Sequence, residues 1–597
     1  MKAFGYESVK LAPCYLQSKQ ELNRKVTINS VYDRFYDTGR IGAFDFDYKE
    51  GDGEDKRPHF FWDSDVAKWM EGAAYIMKHS NEPALEEKVD ALVEKIKQHQ
   101  GDDGYFNIYF TVVEPNARFT NRDKHELYCA GHLMEAAVAY ASVSGKTDFL
   151  DCMEKYADYI YKIFIEEKSA AFLTPGHEEI ELALIRMYRY TGKPKYLEMA
   201  KYFLDTRGAK DEQLADEQFQ THLPVREQTE ALGHSVRAMY LYTAMAMLAK
   251  ETDDEALKVA CNALWNDVTT KKMYVTGGIG SSYIGEAFTT PYDLANDQAY
   301  TETCAGIGLV FFAKAMSELE ADAKYADVIE RVLYNGVLSG MSLDGKSFFY
   351  ENPLEINLSE HFESRYGKRK FPITQRVECF SCSCCPPNLN RLLPSLGNYI
   401  YSLDGDVLYV NQFVASSLSE NGIEASIDTA YPLNGKVRIS AAGVDKLAVR
   451  IPFWCESFSI NKPYVMKNGY AIVDADGETT IDFEIIPKMI WADPRVIRDA
   501  GRVCIMRGPV VYCAESVDSG ENLHRLSISP DFNCTVDESE EFGLPTLEIT
   551  AFEKAPYNGL LYSSKAPVKS EINIKLIPYN SFANRGESDM LVWFTED

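Results

Sequence analysis

Four cysteine residues lie close together in the chain, at Cys379, Cys382, Cys384 and Cys385. Neighbouring cysteines such as Cys384 and Cys385 do not easily form a disulfide with each other, because a disulfide needs its Cα atoms well apart. They can share one soft metal ion, and zinc binds thiolates readily. Since a bound metal keeps a thiol ionised, and the thiolate is the nucleophilic form, the segment predicts either a structural zinc site or a cysteine that a metal prepares for chemistry.

A second pair of potential ligands precedes an apolar helical pattern. Glu302 and Cys304 are two residues apart, which points them in different directions on a regular helix, although both can reach one ion near a helix start. With Cys384 and Cys385 they make a set of one glutamate and three cysteines, the ligand types that zinc prefers. The alternative is an inert buried Cys304 beside a glutamate at a helix end.

A glycine-rich segment, residues 274–286, ends at Glu286. It lacks the Lys-Ser/Thr ending of a phosphate-binding loop and does not lie between a strand and a helix. We therefore expect it to let the backbone pass close to a ligand and to present Glu286 there. The alternative is a turn-rich loop with a solvated glutamate.

Three histidines, His132, His177 and His234, each follow a glycine and precede a helical pattern. A single buried histidine is usually a core residue whose hydrogen bonds are made within the protein. Three histidines in the same sequence context favour the floor of a polar pocket, where neutral imidazoles donate to sugar hydroxyls. Extra metal ligands are the alternative. The segment His59–Asp65 adds aromatic rings and carboxylates at the entrance, and Tyr350 is a further pocket candidate, unless it is an ordinary strand aromatic.

The elements that must position these residues change character along the chain. Up to about residue 400, apolar residues recur at helical spacing, as in Leu85, Val89, Leu92 and Ile96. Between the helical patterns, a glycine that can end one helix is repeatedly followed by a polar residue or a proline that can begin the next. Paired helices at this scale predict an (α/α)6 barrel over 6–403, whose inner helices carry Trp69, the three histidines and Glu302.

After residue 403 the period becomes two, which predicts strands separated by turn residues. We expect antiparallel β-sandwich domains over 404–500 and 501–597. Residues 1–5 are a candidate for one extra strand in the first of them.

Composition limits the partners of the chain. Its 597 residues are enough for several domains, and its net charge of −28 disfavours nucleic acid and anionic lipid. Neither a secretory signal nor a transmembrane stretch is apparent. Thirteen cysteines, an odd number, favour reduced thiols in a cytoplasmic protein. The 37 tyrosines suit stacking on sugars, and the oligomeric state stays open, a homodimer included.

Four motifs together give the chain a family resemblance. They are Thr276-Gly-Gly-Ile-Gly-Ser with Ile284-Gly-Glu-Ala-Phe288, Glu302-Thr-Cys304, Cys382-Ser-Cys-Cys-Pro386, and Arg507-Gly-Pro-Val-Val-Tyr-Cys-Ala-Glu515. Through them the whole chain resembles glycoside hydrolase family 127, the β-L-arabinofuranosidases. The fold of that family is an (α/α)6 barrel followed by β-sandwiches, which agrees with the change of period.

The resemblance implies retaining hydrolysis with Cys384 as nucleophile and Glu286 as general acid/base. It also implies zinc held by Glu302, Cys304, Cys384 and Cys385. His132, His177, His234 and Tyr350 would line the sugar pocket. Thiolate takes the place of the second carboxylate of most retaining glycosidases, and we expect aromatic surroundings to raise the pKa of Glu286 for its role as acid.

Two other functions are open. A helical barrel can host a sugar epimerase or isomerase that uses the histidines as acid and base, with structural zinc. The second alternative function is carbohydrate binding without catalysis, by a protein that zinc stabilises. For a hydrolase, the substrate is expected to be a short oligosaccharide or glycoside, and the sequence does not select the exact sugar, linkage or aglycone.

Overall fold

The computed structural model describes residues 1–210, 215–360 and 372–597. The described residues form fifteen α-helices, of which only the last lies beyond residue 400. They are α1 Tyr15–Leu22, α2 Ile28–Asp37, α3 Trp62–His79, α4 Pro83–His99, α5 Tyr109–Val112, α6 Glu126–Ser144, α7 Asp148–Tyr161, α8 Ile180–Thr191, α9 Pro194–Thr206, α10 Ser235–Thr252, α11 Glu255–Asp267, α12 Thr303–Leu319, α13 Ala323–Val332, α14 Cys385–Leu392 and α15 Ser516–Ser519.

Six of these helices, here called the ring helices, contact one another in a closed succession. Helix α3 contacts α6, α6 contacts α8, α8 contacts α10, α10 contacts α12, α12 contacts α14, and α14 contacts α3. Helices α2, α4, α7, α9, α11 and α13 each contact at least one of the ring helices. The helical region predicted before residue 400 is therefore present.

A ring helix and its partner differ in how much of their surface is buried. Helix α6 is buried continuously from Glu126 to Ala141, whereas α4 buries one face through Leu85, Val89, Leu92, Val93 and Ile96. The helical spacing predicted for α4 is confirmed, and its single apolar stripe is typical of a helix with one solvated face. Helix α8 ends at Thr191 and is capped by Gly192, which has a φ of 71°, and α9 begins with Pro194, as the sequence signals predicted.

Strands dominate after residue 400. They are β1 Lys2–Ala3, β2 Val9–Leu11, β3 Glu355–Ile356, β4 Tyr401–Asp404, β5 Val407–Val410, β6 Ser416–Glu420, β7 Ile423–Thr429, β8 Lys436–Ala442, β9 Lys446–Arg450, β10 Phe458–Ile460, β11 Val465–Lys467, β12 Tyr470–Asp474, β13 Thr479–Phe483, β14 Pro487–Trp491, β15 Arg502–Arg507, β16 Val510–Glu515, β17 Leu526–Ile528, β18 Cys534–Asp537, β19 Thr546–Lys554, β20 Lys569–Pro578, β21 Met590–Leu591 and β22 Phe594–Glu596.

Two six-stranded sheets follow the helical region. Their strand orders are β1-β4-β5-β9-β12-β11 and β10-β13-β8-β7-β6-β2. The first two strands of the chain therefore join these sheets, β1 beside β4 and β2 beside β6. Strand β5 pairs with β9 in parallel, so the first sheet is mixed and not purely antiparallel as the sequence predicted.

The last sheet has ten strands and closes on itself. Nine strands run in the order β14-β15-β22-β17-β19-β20-β16-β21-β3, and the tenth, β18, pairs with β19. The hairpin between β15 and β16 joins two strands of that path. Strands β15, β22, β17, β19, β20 and β16 thus form a ring within one sheet, where the sequence predicted a second β-sandwich domain. The hairpin and the parallel β17–β22 pairing produce the closure.

Strand β3 links the helical region to the last sheet. It pairs with β21 and fixes the loop that carries Tyr350. Among the described residues, no helix combines the length and the apolar character that a membrane crossing needs.

Candidate active site

Three thiols and one carboxylate meet where two ring helices begin. Glu302 is the N-cap residue of α12, with Cys304 in its first turn, and Cys384 is the N-cap residue of α14, which starts at Cys385. Because α12 contacts α14, the two helix starts bring these residues together. The positive ends of both helix dipoles favour anionic side chains at this point.

The four side chains have the spacing of a tetrahedral metal site. The Sγ atom of Cys304 lies 3.6 Å from that of Cys384 and 3.4 Å from that of Cys385, and the last two are 3.7 Å apart. The Oε1 atom of Glu302 lies 3.5 Å from the Cys384 sulfur and 3.7 Å from the Cys385 sulfur. Zinc–sulfur bonds of about 2.3 Å place tetrahedral sulfur atoms about 3.8 Å apart, so the donor set fits one zinc ion.

Burial makes this cluster of acidic groups hard to ionise without a cation. Glu302, Cys304 and Cys385 are almost completely buried, and the Oε2 atom of Glu302 has no hydrogen-bond partner. Burial and the neighbouring Cys384 raise the pKa of Glu302 well above its ordinary value. Burial opposes ionisation of Cys304 as well, but hydrogen bonding with the two other thiols outweighs it and lowers the pKa of Cys304 to about 6. A cation among them would favour the ionised form of all four groups.

Glu286 lies at the end of the glycine-rich loop and faces this cluster. One of its carboxylate oxygens lies within 4.8 Å of an oxygen of Glu302. Its backbone has a φ of 54°, and its carbonyl oxygen accepts a hydrogen bond of 3.0 Å from Ser235 at the start of α10. The loop therefore presents the carboxylate to the pocket, as the sequence predicted.

Two donors hold the Glu286 carboxylate. The hydroxyl of Tyr300 donates to Oε1 at 2.7 Å, and Nε2 of His234 lies 2.7 Å from Oε2. Burial opposes ionisation, but these two groups outweigh it and lower the pKa of Glu286. The expectation that the surroundings raise this pKa is wrong, because the contacts with His234 and Tyr300 favour the ionised carboxylate.

The tautomer of His234 follows from its position as N-cap residue of α10. Its Nδ1 atom accepts a hydrogen bond from the backbone N–H of Val236, so the ring proton is on Nε2 and points to Glu286. Burial lowers the pKa of His234, although Glu286 opposes that effect. A neutral histidine therefore donates to an ionised glutamate.

His177 and His125 stand next to each other in the same pocket. Their ring centroids are 5.5 Å apart, and each Nδ1–H donates to a backbone carbonyl, of Glu178 and Asp123 respectively. Burial lowers the pKa of both, to about 3 for His125. Each neutral ring keeps a lone pair on Nε2 that is available to accept from a hydroxyl group, whereas the sequence predicted that His177 donates.

His132 is not in the pocket lining. It lies within α6, which begins at Glu126, and it is fully buried behind Tyr128 at a ring distance of 4.5 Å. The expectation that it opens a helix and lines the sugar pocket does not fit this position. Gly131 serves helix packing, since a Cβ atom there would lie 2.9 Å from the backbone nitrogen of Ile180. The N-cap residue of α6 is His125, which sequence reasoning missed because no glycine precedes it.

Tyr350 and the cysteine loop form one wall of the pocket. The thiol of Cys384 donates to the Tyr350 hydroxyl at 3.3 Å, and the same hydroxyl lies 3.8 Å from the sulfur of Cys382. The carbonyl of Tyr350 accepts from the backbone N–H of Thr303, which ties this wall to the start of α12.

The pocket has a volume of about 430 Å³. The predicted entrance contributes Phe60, Phe61, Ser64 and Asp65 to its lining. The lining residues that the sequence analysis did not name include Tyr128, Gln218, Arg237 and Tyr283. Their signals are weak in sequence, since Arg237 falls inside α10 and the others lie among many similar residues.

Two family models match the chain. The one described as the catalytic domain of β-L-arabinofuranosidase, glycoside hydrolase family 127, matches residues 8–398. The one described as the C-terminal domain of glycoside hydrolase family 127 matches residues 487–595.

Curated and solved proteins resemble the chain over most of its length. A non-reducing end β-L-arabinofuranosidase of Bifidobacterium longum subsp. longum is 35% identical over 591 residues, which cover 89% of each chain. The crystal structure of a β-L-arabinofuranosidase of this family from Geobacillus stearothermophilus T6 has a TM-score of 0.93 and 40% identity, covering 99% of this chain and 100% of that one. A second solved β-arabinofuranosidase has a TM-score of 0.89 and 34% identity, covering 100% and 98%.

Proposed function

The chain belongs to glycoside hydrolase family 127 and is a glycoside hydrolase, and from that membership we propose that it releases β-linked L-arabinofuranose from short oligosaccharides or glycoconjugates with retention of configuration. The names of its relatives support the sugar. The pocket of about 430 Å³, lined by histidines and aromatic rings, has a size suited to a small ligand.

The fold proposed for this activity is an (α/α)6 barrel followed by sheet domains. The closed succession of six ring helices, each with a partner, supports it. The division into 6–403, 404–500 and 501–597, and a cytoplasmic location, are proposals from the sequence alone.

The residues proposed to hold zinc are Glu302, Cys304, Cys384 and Cys385. Their mutual distances and the unpaired Oε2 atom of Glu302 support this assignment. Bound zinc supplies the positive charge that keeps the thiolates ionised at neutral pH.

In the first proposed step, the sulfur of Cys384 attacks the anomeric carbon. The bond from that carbon to the leaving oxygen breaks, and Glu286 gives its proton to the oxygen. The proton must be on Glu286 beforehand, and the neutral His234 cannot supply it, because its Nε2–H proton is the only one on the ring.

In the second step, water attacks the anomeric carbon while the bond to the Cys384 sulfur breaks. Glu286, now ionised, accepts the proton of the water, so the thiolate and the protonated glutamate are regenerated. The hydrogen bonds from Tyr300 and His234 stabilise this carboxylate form. His125 and His177 bind sugar hydroxyls through their Nε2 lone pairs.

The observation that carries the proposal is the contact of Cys384 with Glu302, whose carboxylate neighbours that of Glu286. The Cys384 sulfur lies 3.5 Å from Glu302, whose carboxylate lies within 4.8 Å of that of Glu286. A nucleophile and an acid/base in one small site are typical of retaining glycosidases, in which about 5–5.5 Å separates the two catalytic carboxyl groups.

The test is a Cys384→Ser variant with a β-L-arabinofuranoside. We expect hydrolysis to fall by several orders of magnitude while bound metal, measured by elemental analysis, persists through the three other ligands. In the parent enzyme, rapid-quench mass spectrometry should find one pentosyl group on the peptide that contains Cys384. Cys379→Ser is the matched control, since Cys379 lies in the same loop but bonds to Phe380 and Ser383. Turnover by Cys384→Ser with metal in place would refute the nucleophile.

A further inference from the structure

A second cavity lies at the opposite end of the ring helices. The active-site pocket is at the starts of α10, α12 and α14, whereas this cavity is lined by residues near the ends of α3, α6, α8, α10 and α12. We call it the rear cavity. Its volume is about 370 Å³, which is within the range of about 300–1,000 Å³ that small-molecule pockets occupy. The N-terminal residues Tyr6 and Glu7 form part of its border.

A layer of buried side chains separates the two cavities. Arg391 donates to the hydroxyl of Tyr240 at 3.1 Å, and Tyr240 lies 6.0 Å from the ring of His177 in the active-site pocket. His132 and Glu179 belong to the same buried layer, and their side chains are 3.1 Å apart. The rear cavity therefore does not belong to the catalytic site.

The floor of the rear cavity is a closed square of two arginines and two glutamates. Arg391 contacts Glu71 at 2.9 Å and Glu135 at 2.6 Å, and Arg186 contacts the same two carboxylates. Three of the four side chains are at most 3% exposed. Buried ion pairs of this kind seldom stabilise a fold more than apolar residues would, so their presence at a cavity floor favours a binding role.

The charges that α8 and α12 contribute to the wall are paired in the same way. Arg189 lies 2.8 Å from Glu251 and 3.1 Å from Glu318, and Lys314 lies 3.3 Å from Glu318. An ionic ligand would have to displace one partner of such a pair. A neutral polyol would not, because its hydroxyl groups can donate to the carboxylates and accept from the guanidinium groups at once.

Aromatic rings complete the cavity. Tyr6 and Tyr75 meet edge to face at 4.5 Å, and the Tyr75 hydroxyl donates to Glu71 at 2.6 Å. Tyr190, at the rim, is 44% exposed, so its ring is open to a ligand. Such rings offer an apolar surface to the C–H face of a sugar while their hydroxyls stay polar.

We propose that the rear cavity is a second carbohydrate site that binds a neutral sugar of one or two rings, independently of the catalytic pocket. The paired charges select against ions, and the rings and fixed hydrogen-bonding groups select for polyols.

Hydrogen–deuterium exchange with mass spectrometry tests this proposal, because it locates weak binding along the chain. Saturating L-arabinose should slow exchange several-fold in rear peptides that cover 183–190 and 311–318, and also in front peptides that cover 125–128 and 177. Tyr190→Ala and the cavity-filling Ser142→Phe should each remove only the rear protection. Circular dichroism checks that both variants fold. His177→Ala should reduce only the front protection.

Three results would overturn the inference. Rear peptides that stay unprotected at every sugar concentration would show that no sugar binds there. Rear protection that disappears in His177→Ala would show an effect transmitted from the catalytic pocket. Protection by sodium phosphate without protection by L-arabinose would assign the cavity to anions. A failed catalytic proposal, by contrast, would appear in the hydrolysis assays of Cys384→Ser and leave the rear peptides unaffected.

Discussion

At the scale of residues, two neighbours of Glu286 decide its protonation state. Tyr300 and His234 both donate to the carboxylate and lower its pKa. A group with a lowered pKa is ionised at neutral pH, which suits the base of the second step and not the acid of the first. Since the first step needs the protonated form in the free enzyme, kcat/KM should fall as pH rises through this pKa, and the enzyme should favour acidic conditions.

Tyr300→Phe tests this assignment. The change removes one donor to the carboxylate, so the pKa of Glu286 should rise, and the basic limb of the kcat/KM profile should move to higher pH. The second step should slow, because the carboxylate is held less firmly. The measurement is initial rate against pH on a β-L-arabinofuranoside. Tyr292→Phe, in the same segment but outside the pocket lining, should leave the profile unchanged. If the basic limb of the Tyr300→Phe profile stays at the same pH, a group other than Glu286 controls that limb.

Residue types were easier to predict than residue positions. The donor set of Glu302, Cys304, Cys384 and Cys385 came from ligand chemistry, and the structure brings the four together. His132 was selected for the glycine before it, a pattern that packing against α8 explains equally well. His125 has no such marker, and its place in the pocket depends on a backbone with a φ of 55° that the sequence does not display.

At the scale of elements, one arginine fixes the cysteine loop against a ring helix. Arg40 lies 2.9 Å from Asp65 in α3, and it also donates to the carbonyls of Phe380 and Ser381. The residues before Cys384 are thus attached to α3 through a buried guanidinium group. Outer contacts of this kind orient metal ligands.

We expect Arg40→Lys to loosen the loop while keeping a charge opposite Asp65. Lysine lacks the planar fork that reaches three oxygen atoms at once, so zinc affinity and kcat/KM should each fall by roughly 10-fold to 100-fold. Competition with a zinc chelator measures the affinity. The control is Arg34→Lys, because Arg34 pairs with Glu378 of the same loop at an exposed site, where an ion pair contributes little. Equal effects of the two changes would contradict the positioning role of Arg40.

Helices with local sequence signals were predicted well, but the closure of the C-terminal sheet was not predicted. Helix α4 and the start of α9 follow from spacing, glycine and proline. The ring of strands from β15 to β22 depends on pairings between residues far apart, such as Val503 with Phe594, and no local pattern encodes them.

At the scale of the whole molecule, the C-terminal sheet supports the active site from outside the ring helices. The Tyr579 hydroxyl donates to the carbonyls of Asn352 and Pro353 at 2.9 and 3.0 Å. The side-chain amide of Asn352 donates in turn to Thr301 and Thr303, which flank Glu302. Tyr579, which directly follows β20 and is more than 200 residues from Asn352 in sequence, therefore braces the start of α12.

Tyr579→Phe should reveal this support. The change removes the donor of the Pro353 carbonyl, whereas the Asn352 carbonyl keeps the Thr301 hydroxyl. An unpaired buried carbonyl costs about 1–3 kcal/mol, so thermal unfolding should begin at a lower temperature. Because the loop reaches Tyr350 and Glu302, kcat/KM should also fall several-fold. Tyr557→Phe removes an exposed hydroxyl that bonds only within its own loop, and it should change neither quantity. A stability loss without any change in kcat/KM would limit Tyr579 to a structural role.

The close approach of the three sulfurs has a practical consequence for handling the protein. The Cys304 sulfur is 3.4 Å from Cys385 and 3.6 Å from Cys384, so little movement would join it to either under oxidising conditions. Coordination would occupy the same lone pairs and protect them. Preparations that are stripped of metal and kept in air should therefore lose activity irreversibly unless reductant is added before zinc is returned.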